Sequence, residues 1–447
     1  MEGSVVSVKM MTGKKMKLLT YGCQMNVSDA ERMEGQLRTM GYETAESMEE
    51  ADLILINTCC VRESAEDRVY GKIGEIKQLK RRNPELIFGI TGCMAQKEGE
   101  RLIERAPHID FVLGTNKVHE LVPTVEKIAA AREHVVDVFL SDAGLPENIP
   151  VARGNHVSAW IPIMYGCNNF CTYCIVPYVR GREHSRLPED VTAEVAEAVR
   201  QGYREVTLLG QNVNSYGKDH KKADFADLLR QVDQVPGIRR VRFMTSHPKD
   251  LSDRVIEAIR DGEHLCEHIH LPVQYGTDRI LKAMNRVYTV EAYRDLVRRI
   301  RTALPEVSLT TDLIVGFPGE TEQDFEETLD FLREIRFDAA YTFLYSRRSG
   351  TPAAQMEQQV EEDVKKARLR TLMEVQNAIS LEINEAMMGK CCEVLVEGPS
   401  KTDDGIYTGR TRTNKLVLFP HTDEQRGDFA EIRITQPQTW VLKGKRV

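Results

Sequence analysis

The stretch Met164-Tyr-Gly-Cys-Asn-Asn-Phe-Cys-Thr-Tyr-Cys-Ile-Val-Pro-Tyr178 carries three cysteines, Cys167, Cys171 and Cys174, in a C-x3-C-x2-C arrangement. Thiolates are the usual protein ligands of iron–sulfur clusters, and three of them on one short loop can surround a cuboidal 4Fe–4S cluster. Three ligands for four irons leave one iron open to a small molecule. The alternative is a zinc site with His184 as the fourth ligand, although zinc sites usually contain paired C-x2-C motifs.

Composition and charge restrict the classes of protein to which the chain can belong. The chain has 447 residues, 41% of them hydrophobic and 29% charged, which is ordinary for a globular protein of two or three domains. No stretch approaches the ~20 apolar residues that span a bilayer, and residues 1–15 lack the apolar core of a secretory signal. Ten cysteines without such a signal predict a reducing, cytoplasmic location. With a net charge of −8, any RNA-binding surface must be a local patch.

The N-terminal part of the chain alternates short apolar runs with amphipathic helical patterns. This alternation predicts an α/β fold built on an open, doubly wound parallel sheet. The predicted strands are Met16–Tyr21, Leu53–Asn57, Leu86–Thr91 and Phe111–Leu113.

Three more cysteines follow strands of this predicted sheet. Cys23, Cys59 and Cys93 each lie just beyond the carboxyl end of a strand, and in a parallel sheet these ends share one edge. Residues that are distant in the chain can therefore converge, which predicts a second three-cysteine cluster site. The alternative is three unrelated buried thiols, since cysteine is often a core residue.

The β/α alternation resumes after a linker at residues 141–156 that contains proline and glycine. Six further β/α units are too few for a closed eight-stranded barrel, so we expect an open, partial (β/α)6 barrel. Short strand-like runs near the C-terminus predict a small antiparallel β-barrel. The predicted domains span residues 16–145, 153–376 and 380–445.

Four motifs together resemble the methylthiotransferase family: Thr20-Tyr-Gly-Cys-Gln-Met-Asn26, Asn57-Thr-Cys59, Thr91-Gly-Cys93 and the C-x3-C-x2-C loop. That family belongs to the radical S-adenosylmethionine (SAM) superfamily. It combines an N-terminal cluster domain, a radical SAM partial barrel and a C-terminal TRAM RNA-binding barrel. Residues 21–26, 166–182 and 209–216 resemble its MiaB-type branch, the tRNA-2-methylthio-N6-dimethylallyladenosine synthases. The family motif aligns Cys59, and not the adjacent Cys60, as the ligand.

The resemblance implies an enzyme that replaces the carbon-2 hydrogen of N6-isopentenyladenosine, at position 37 of tRNA, with a methylthio group. It implies two 4Fe–4S clusters. The C-x3-C-x2-C loop would hold the cluster that cleaves SAM, and the three N-terminal cysteines would hold an auxiliary cluster for the inserted sulfur. A second SAM would donate the methyl group. The alternatives are the same chemistry on threonylcarbamoyl-adenosine of tRNA or on a ribosomal-protein aspartate, and a non-catalytic iron–sulfur RNA-binding protein.

Further site residues follow from the expected barrel. SAM is expected at the carboxyl ends of the barrel strands, where the candidates are Gln211, Asn212, Gln274 and Gly316. The candidates for RNA contact are basic residues, for which a solvated surface is the alternative: Arg180, Arg182, Arg410, Arg412 and Lys415. The expected partners are the tRNA anticodon loop, an electron donor such as flavodoxin or ferredoxin, and a sulfur or cluster source. No membrane partner is expected.

Overall fold

The computed structural model describes residues 11–59, 63–140, 144, 146–154 and 157–447. Cys60 and parts of the predicted linker at 141–156 lie outside these residues. The chain forms two compact units. Unit 1 takes its described residues from Met1–Asn155, Tyr165–Asn168 and Ile175–His184, and unit 2 from His156–Met164, Asn169–Cys174 and Ser185–Val447. The C-terminal barrel therefore shares a unit with the central β/α region, and the division into three domains stays a prediction.

Unit 1 is built on a six-stranded sheet in the order β2-β1-β3-β4-β5-β6, in which every pair of neighbours is parallel. Its strands are β1 (Lys15–Thr20), β2 (Glu43–Thr44), β3 (Leu53–Thr58), β4 (Ile87–Gly92), β5 (Phe111–Leu113) and β6 (Val135–Asp137). Its helices are α1 (Gln24–Thr39), α2 (Glu63–Arg82), α3 (Cys93–Glu98), α4 (Glu100–Arg105), α5 (Leu121–Ala131) and α6 (Val176–Arg180), with a 3-10 helix at Thr115–Glu120.

Alternate residues of β3 enter two different cores. Leu53 and Leu55 pack on one face of the sheet, and Ile54 and Ile56 pack on the other. Full burial of each such side chain stabilises the fold by about 1.5–3 kcal/mol, and burial on both faces explains the unbroken apolar run. The predicted doubly wound parallel sheet is confirmed.

Unit 2 begins with six parallel strands in two sheets, ordered β11-β10-β7 and β12-β13-β14. The strands from β7 to β14 are β7 (Ser158–Pro162), β8 (Met164–Tyr165), β9 (His184–Ser185), β10 (Glu205–Leu209), β11 (Arg240–Phe243), β12 (His268–His270), β13 (Ser308–Val315) and β14 (Ala339–Leu344). The helices are α7 (Pro188–Arg200), α8 (Phe225–Asp233), α9 (Asp253–Asp261), α10 (Asp278–Ala283), α11 (Val290–Ala303), α12 (Glu322–Ile335) and α13 (Glu362–Glu385), with 3-10 helices at Val213–Ser215 and Pro352–Gln355. The edge strands of the two sheets, β11 and β7 in one and β12 and β14 in the other, each pair with one neighbour only, so neither sheet closes and the array is open, as predicted.

The C-terminal strands form a closed five-stranded barrel in the order β15-β16-β17-β19-β18. They are β15 (Cys391–Pro399), β16 (Ile406–Thr411), β17 (Leu416–Pro420), β18 (Phe429–Pro437) and β19 (Leu442–Arg446). The predicted antiparallel barrel is confirmed, with one departure, because β17 and β19 pair in parallel. A ring with an odd number of strands cannot alternate direction at every step, so at least one parallel pair is unavoidable.

None of the helices in the described residues is both long enough and apolar enough to cross a membrane.

Candidate functional site

The three N-terminal cysteines lie at one edge of the sheet of unit 1. Cys23 directly precedes α1, Cys59 follows β3, and Cys93 is the first residue of α3 after β4. Strands β1, β3 and β4 are parallel neighbours, so their carboxyl ends coincide. Gly22 has φ 136°, and a Cβ built there would lie only 2.7 Å from the Cβ of Cys59. The backbone before the first cysteine therefore touches the second cysteine, as convergence at the sheet edge predicts.

The side chain of Asn26 ties these strand ends together. Its Nδ2 donates to the carbonyl oxygens of Tyr21 (3.1 Å) and Thr58 (2.9 Å). The backbone carbonyl of Asn26 in turn accepts from the side-chain Nδ2 of Asn57 at 2.7 Å. Its Oδ1 lies 3.6 Å from the Sγ of Cys23. One buried amide thus holds the turns that carry Cys23 and the segment leading to Cys59.

Arg180, which was predicted to contact RNA, lies at this same edge. Its guanidinium Nη2 donates to Asn26 Oδ1 and to Asp29 Oδ2, both at 2.9 Å, and the residue is only 5% exposed. Burial acts to lower the pKa of Arg180, but the charges of Asp29, Cys93 and Cys23 raise it well above its ordinary value. The buried ion pair argues against an RNA contact for Arg180.

The C-x3-C-x2-C loop, which carries Cys167, Cys171 and Cys174, is held by the end of α10. The N–H of Cys174 donates to the carbonyl of Cys171 at 2.9 Å, which closes a tight turn. Between them, the N–H of Thr172 donates to the carbonyl of Met284 (3.1 Å) and its hydroxyl to the carbonyl of Ala283 (2.9 Å). These bonds fix the backbone of the loop between its second and third cysteines.

Arg286 contacts this loop, and the sequence alone did not reveal it. Its Nη1 lies 3.5 Å from the Sγ of Cys171, and its Nη2 donates to the carbonyl of Pro272 at 2.7 Å. Its Nε donates to the hydroxyl of Tyr288, which in turn donates to the carbonyl of Val273. These hydrogen bonds fix the orientation of the guanidinium. Because 115 residues separate Arg286 from Cys171, no local pattern could have paired them.

Cys167 is the first cysteine of the C-x3-C-x2-C loop, and its backbone geometry is equally specific. Its N–H donates to the carbonyl of Gly181 at 3.1 Å. Gly166 precedes it with φ 75°, in the left-handed region, and a Cβ there would lie 1.9 Å from the carbonyl oxygen of Arg182. Only glycine fits at this position.

Both cysteine sets were predicted to hold iron–sulfur clusters, with zinc as the alternative for the C-x3-C-x2-C loop. Among the described residues, no group of three or more His, Cys, Asp or Glu side chains is arranged to hold a single metal ion. Zinc with His184 stays the alternative to an iron–sulfur cluster. A cuboidal cluster is larger than a single ion, so its thiolate ligands stand further apart. Ligation of a 4Fe–4S cluster by the three cysteines of each set stays a prediction.

The predicted SAM residues differ in what they offer a ligand. At the end of β10, Gln211 Oε1 and Asn212 Oδ1 are buried without a hydrogen-bond partner, although Asn212 Nδ2 donates to Asp250 at 2.7 Å. Gln274 adopts φ 73°, in the left-handed region. The N–H of Gly316, predicted to face a ligand, donates instead to the Glu320 carboxylate at 2.6 Å. The two amides after β10 therefore remain the strongest of the predicted SAM contacts.

The predicted RNA contacts on the C-terminal barrel are engaged within unit 2. Arg412 is paired with Glu267 at 2.8 Å, and Lys415 with Asp338 at 2.6 Å. Arg410 is paired with Glu397 of its own barrel at 3.0 Å. The first two pairs attach the barrel to the β/α region. Arg182 is exposed, and its RNA contact, like that of the barrel residues, stays a prediction.

Three family descriptions match successive parts of the chain. Residues 15–114 match "Uncharacterized protein family UPF0004", residues 161–332 match the "Radical SAM superfamily", and residues 385–447 match the "TRAM domain". These matches cover the three regions that the cysteine motifs and the C-terminal strands distinguish.

Curated relatives are similar over nearly the whole length. The "tRNA-2-methylthio-N(6)-dimethylallyladenosine synthase" of Carboxydothermus hydrogenoformans is 54% identical over 437 residues, which is 97% of this chain and 99% of that protein. The protein of the same name from Acetivibrio thermocellus is 53% identical over 98% of this chain and 92% of its own length.

Solved structures share the fold at low sequence identity. The radical S-adenosylmethionine methyltransferase TsrM from Kitasatospora setae aligns with a TM-score of 0.58 and 14% identity, over 77% of this chain and 74% of its own. The cobalamin-dependent S-adenosylmethionine radical enzyme OxsB aligns with a TM-score of 0.53 and 14% identity, over 82% of this chain and 57% of its own.

Proposed function

Because the chain belongs to the family of tRNA-2-methylthio-N(6)-dimethylallyladenosine synthases, we propose that it replaces the carbon-2 hydrogen of N6-isopentenyladenosine at tRNA position 37 with a methylthio group. It is a radical SAM methylthiotransferase, and this superfamily implies a 4Fe–4S cluster and SAM. The curated relatives favour this substrate over threonylcarbamoyl-adenosine and over a ribosomal-protein aspartate.

The observation that carries the proposal is the presence of two separate three-cysteine sets. A radical SAM enzyme needs one set, on the C-x3-C-x2-C loop. The second set, Cys23, Cys59 and Cys93, lies at the carboxyl edge of a parallel sheet, where sites of such folds are found. It supports a second 4Fe–4S cluster that handles the inserted sulfur.

The chain's own residues hold and orient these groups. When bound, the clusters and SAM supply the one-electron chemistry, the sulfur and the methyl group that acid–base catalysis cannot provide at an unactivated C–H bond. Arg286 presents a donor to Cys171, and hydrogen bonds to cluster sulfurs are one of the factors that set a cluster's potential. The unpartnered oxygens of Gln211 and Asn212 can accept hydrogen bonds from donor groups of SAM.

The exposed face of β14 offers a platform for the adenine base. Tyr341 and Phe343 are 55% and 37% exposed, and they lie on the face of the sheet opposite to the helix-packed core. Tyr341 is paired in register with Asp312, and its ring makes an edge contact with His270, with 5.7 Å between ring centroids. Aromatic rings stack on unpaired bases, and a carboxylate accepts from N–H groups. We therefore assign the base, once out of its stack, to this face.

Tyr341→Ala is expected to weaken RNA binding, because it removes a stacking surface. Loss of a base–aromatic stack costs about 1–3 kcal/mol, which is roughly a 5- to 150-fold increase in Kd. The measurement is the Kd of an isopentenylated anticodon stem–loop, determined by fluorescence under anaerobic conditions. Tyr341→Phe keeps the ring and should bind like the parent protein. Equal affinity of the alanine variant and the parent would contradict the assignment.

The proposed reaction is tested on the anaerobically reconstituted protein. SAM, a chemical reductant and isopentenylated tRNA that lacks the methylthio group are added, and the digested nucleosides are weighed. We expect a nucleoside in which one hydrogen is replaced by a methylthio group. Cleavage of SAM without this product, on a protein shown to contain iron and sulfide for two clusters, would contradict the proposed substrate. The tRNA partner is implied by the TRAM region and the relatives' names, and a flavodoxin or ferredoxin is the electron donor we propose.

A further inference from the structure

We infer that Arg180 is a positioning residue of the Cys23/Cys59/Cys93 site, and that its guanidinium sets the positive charge that the thiolates of this site face. The inference goes beyond the proposed reaction and rests on its second cluster. The sequence suggested instead that Arg180 was one of several surface arginines available to RNA.

The position of Arg180 is fixed from two directions. It ends α6, a five-residue helix in which Val179 packs, together with Ile175, against Cys93. The hydroxyl of Thr115 donates to the carbonyl of Val179 at 2.6 Å and so holds the end of this helix. The packing therefore places the base of the arginine side chain beside the third cysteine of the set.

The guanidinium end is held from the side of Cys23. Its two acceptors, Asn26 Oδ1 and Asp29 Oδ2, lie on the first two turns of α1, which begins directly after Cys23. Asn26 Oδ1 also lies 3.6 Å from Cys23 Sγ, so one amide oxygen lies between the thiol and the guanidinium.

The physical consequence is a shift of the cluster's reduction potential. Reduction adds one negative charge to a group that already carries three thiolates. A fixed cation in a buried, low-dielectric environment favours the more negative state. Net charge, hydrogen bonding and solvent exposure are the factors through which a protein sets the potential of such a cluster. Arg180 therefore raises the potential of the auxiliary cluster, and its loss lowers it.

Arg180→Met is tested in the full-length chain that also carries Cys167→Ala, Cys171→Ala and Cys174→Ala, so that only the auxiliary cluster remains. The midpoint potential is measured by an anaerobic redox titration in which electron paramagnetic resonance detects the reduced cluster. We expect a decrease equivalent to at least a tenfold change in the ratio of reduced to oxidised cluster, about 59 mV for one electron. Arg180→Lys keeps the charge, so its midpoint potential should stay close to that of the parent triple variant.

Two further variants test the direction of the effect on the potential and provide a control. Asp29→Asn removes the neutralising carboxylate but keeps the guanidinium, so the potential should rise. Arg186→Met removes another buried arginine, which is ion-paired with Glu194 at 2.7 Å, and should leave the potential unchanged.

Several outcomes would overturn the inference. One is an unchanged potential in Arg180→Met, and another is a shift of the same size in Arg186→Met. If Arg180→Met retains no cluster, then Arg180→Lys decides the matter: retention supports a role for the charge, and loss in both variants overturns it. Absence of any cluster signal in the parent triple variant, with Arg180 intact, would refute the second cluster itself and the inference with it.

Discussion

Cys171→Ala is expected to abolish SAM cleavage and methylthiolation together and to remove about half of the bound iron, because one of two 4Fe–4S clusters loses a ligand. Cys171 is buried, lies on a loop whose backbone is pinned to Ala283 and Met284, and receives the guanidinium of Arg286 at 3.5 Å. No neighbouring group on this loop can substitute for its thiolate. The measurements are 5′-deoxyadenosine formation, methylthio-nucleoside formation and the iron content of the purified protein.

Cys266→Ala is the matched control for this variant. Cys266 is also a buried thiol of unit 2, and burial raises its pKa, so it remains a protonated core side chain. We expect its replacement to leave iron content and both activities near those of the parent protein. Retained SAM cleavage in Cys171→Ala, or its loss in Cys266→Ala with the fold intact, would contradict the assignment of the C-x3-C-x2-C loop.

Cys59→Ala is expected to abolish methylthiolation while SAM cleavage continues. The three N-terminal cysteines lie on a different part of the chain from the loop that serves SAM, so removing one of them should leave the first cluster in place. Cys59 is 4% exposed, and its Cβ lies against Gly22 at the edge of the sheet. The measurement is the ratio of methylthio-nucleoside to 5′-deoxyadenosine, with iron content measured on the same sample.

Cys60→Ala serves as the control, because it removes the adjacent cysteine, which the family motif does not align as a ligand. It should keep the parent's product ratio and its iron content. If Cys60→Ala lost the product while Cys59→Ala kept it, the ligand assignment within this pair would be reversed. If both variants kept the product, the second cluster would not be required for the reaction.

Local patterns in the sequence were sufficient for the fold of each region. The unbroken apolar run of β3 predicted a strand buried on both faces, and the structure places its alternate residues in two cores. The cysteines that follow β1, β3 and β4 were predicted to converge because the carboxyl ends of parallel strands share an edge, and the register of these strands confirms that their ends coincide. These inferences need only periodicity and strand direction.

The roles of charged side chains could not be predicted in this way. Arg180 and Arg412 both looked like surface cations available to RNA, but Arg180 is paired with Asp29 and Arg412 with Glu267. Arg286 lacked any signal in the sequence, although its guanidinium reaches Cys171. In each case the partner is more than a hundred residues away along the chain.

The sequence by itself determined the strands, the open β/α array, the two cysteine sets and the family, because each depends on residues that are near one another in the chain or on a rule of strand direction. Only the tertiary structure decided which cations are buried beside the thiols and which pair with carboxylates across unit 2. The physical reason is that whether a charged side chain is buried, ion-paired or exposed depends on its desolvation and on the partner that packing places beside it. Neither quantity is encoded in a local pattern.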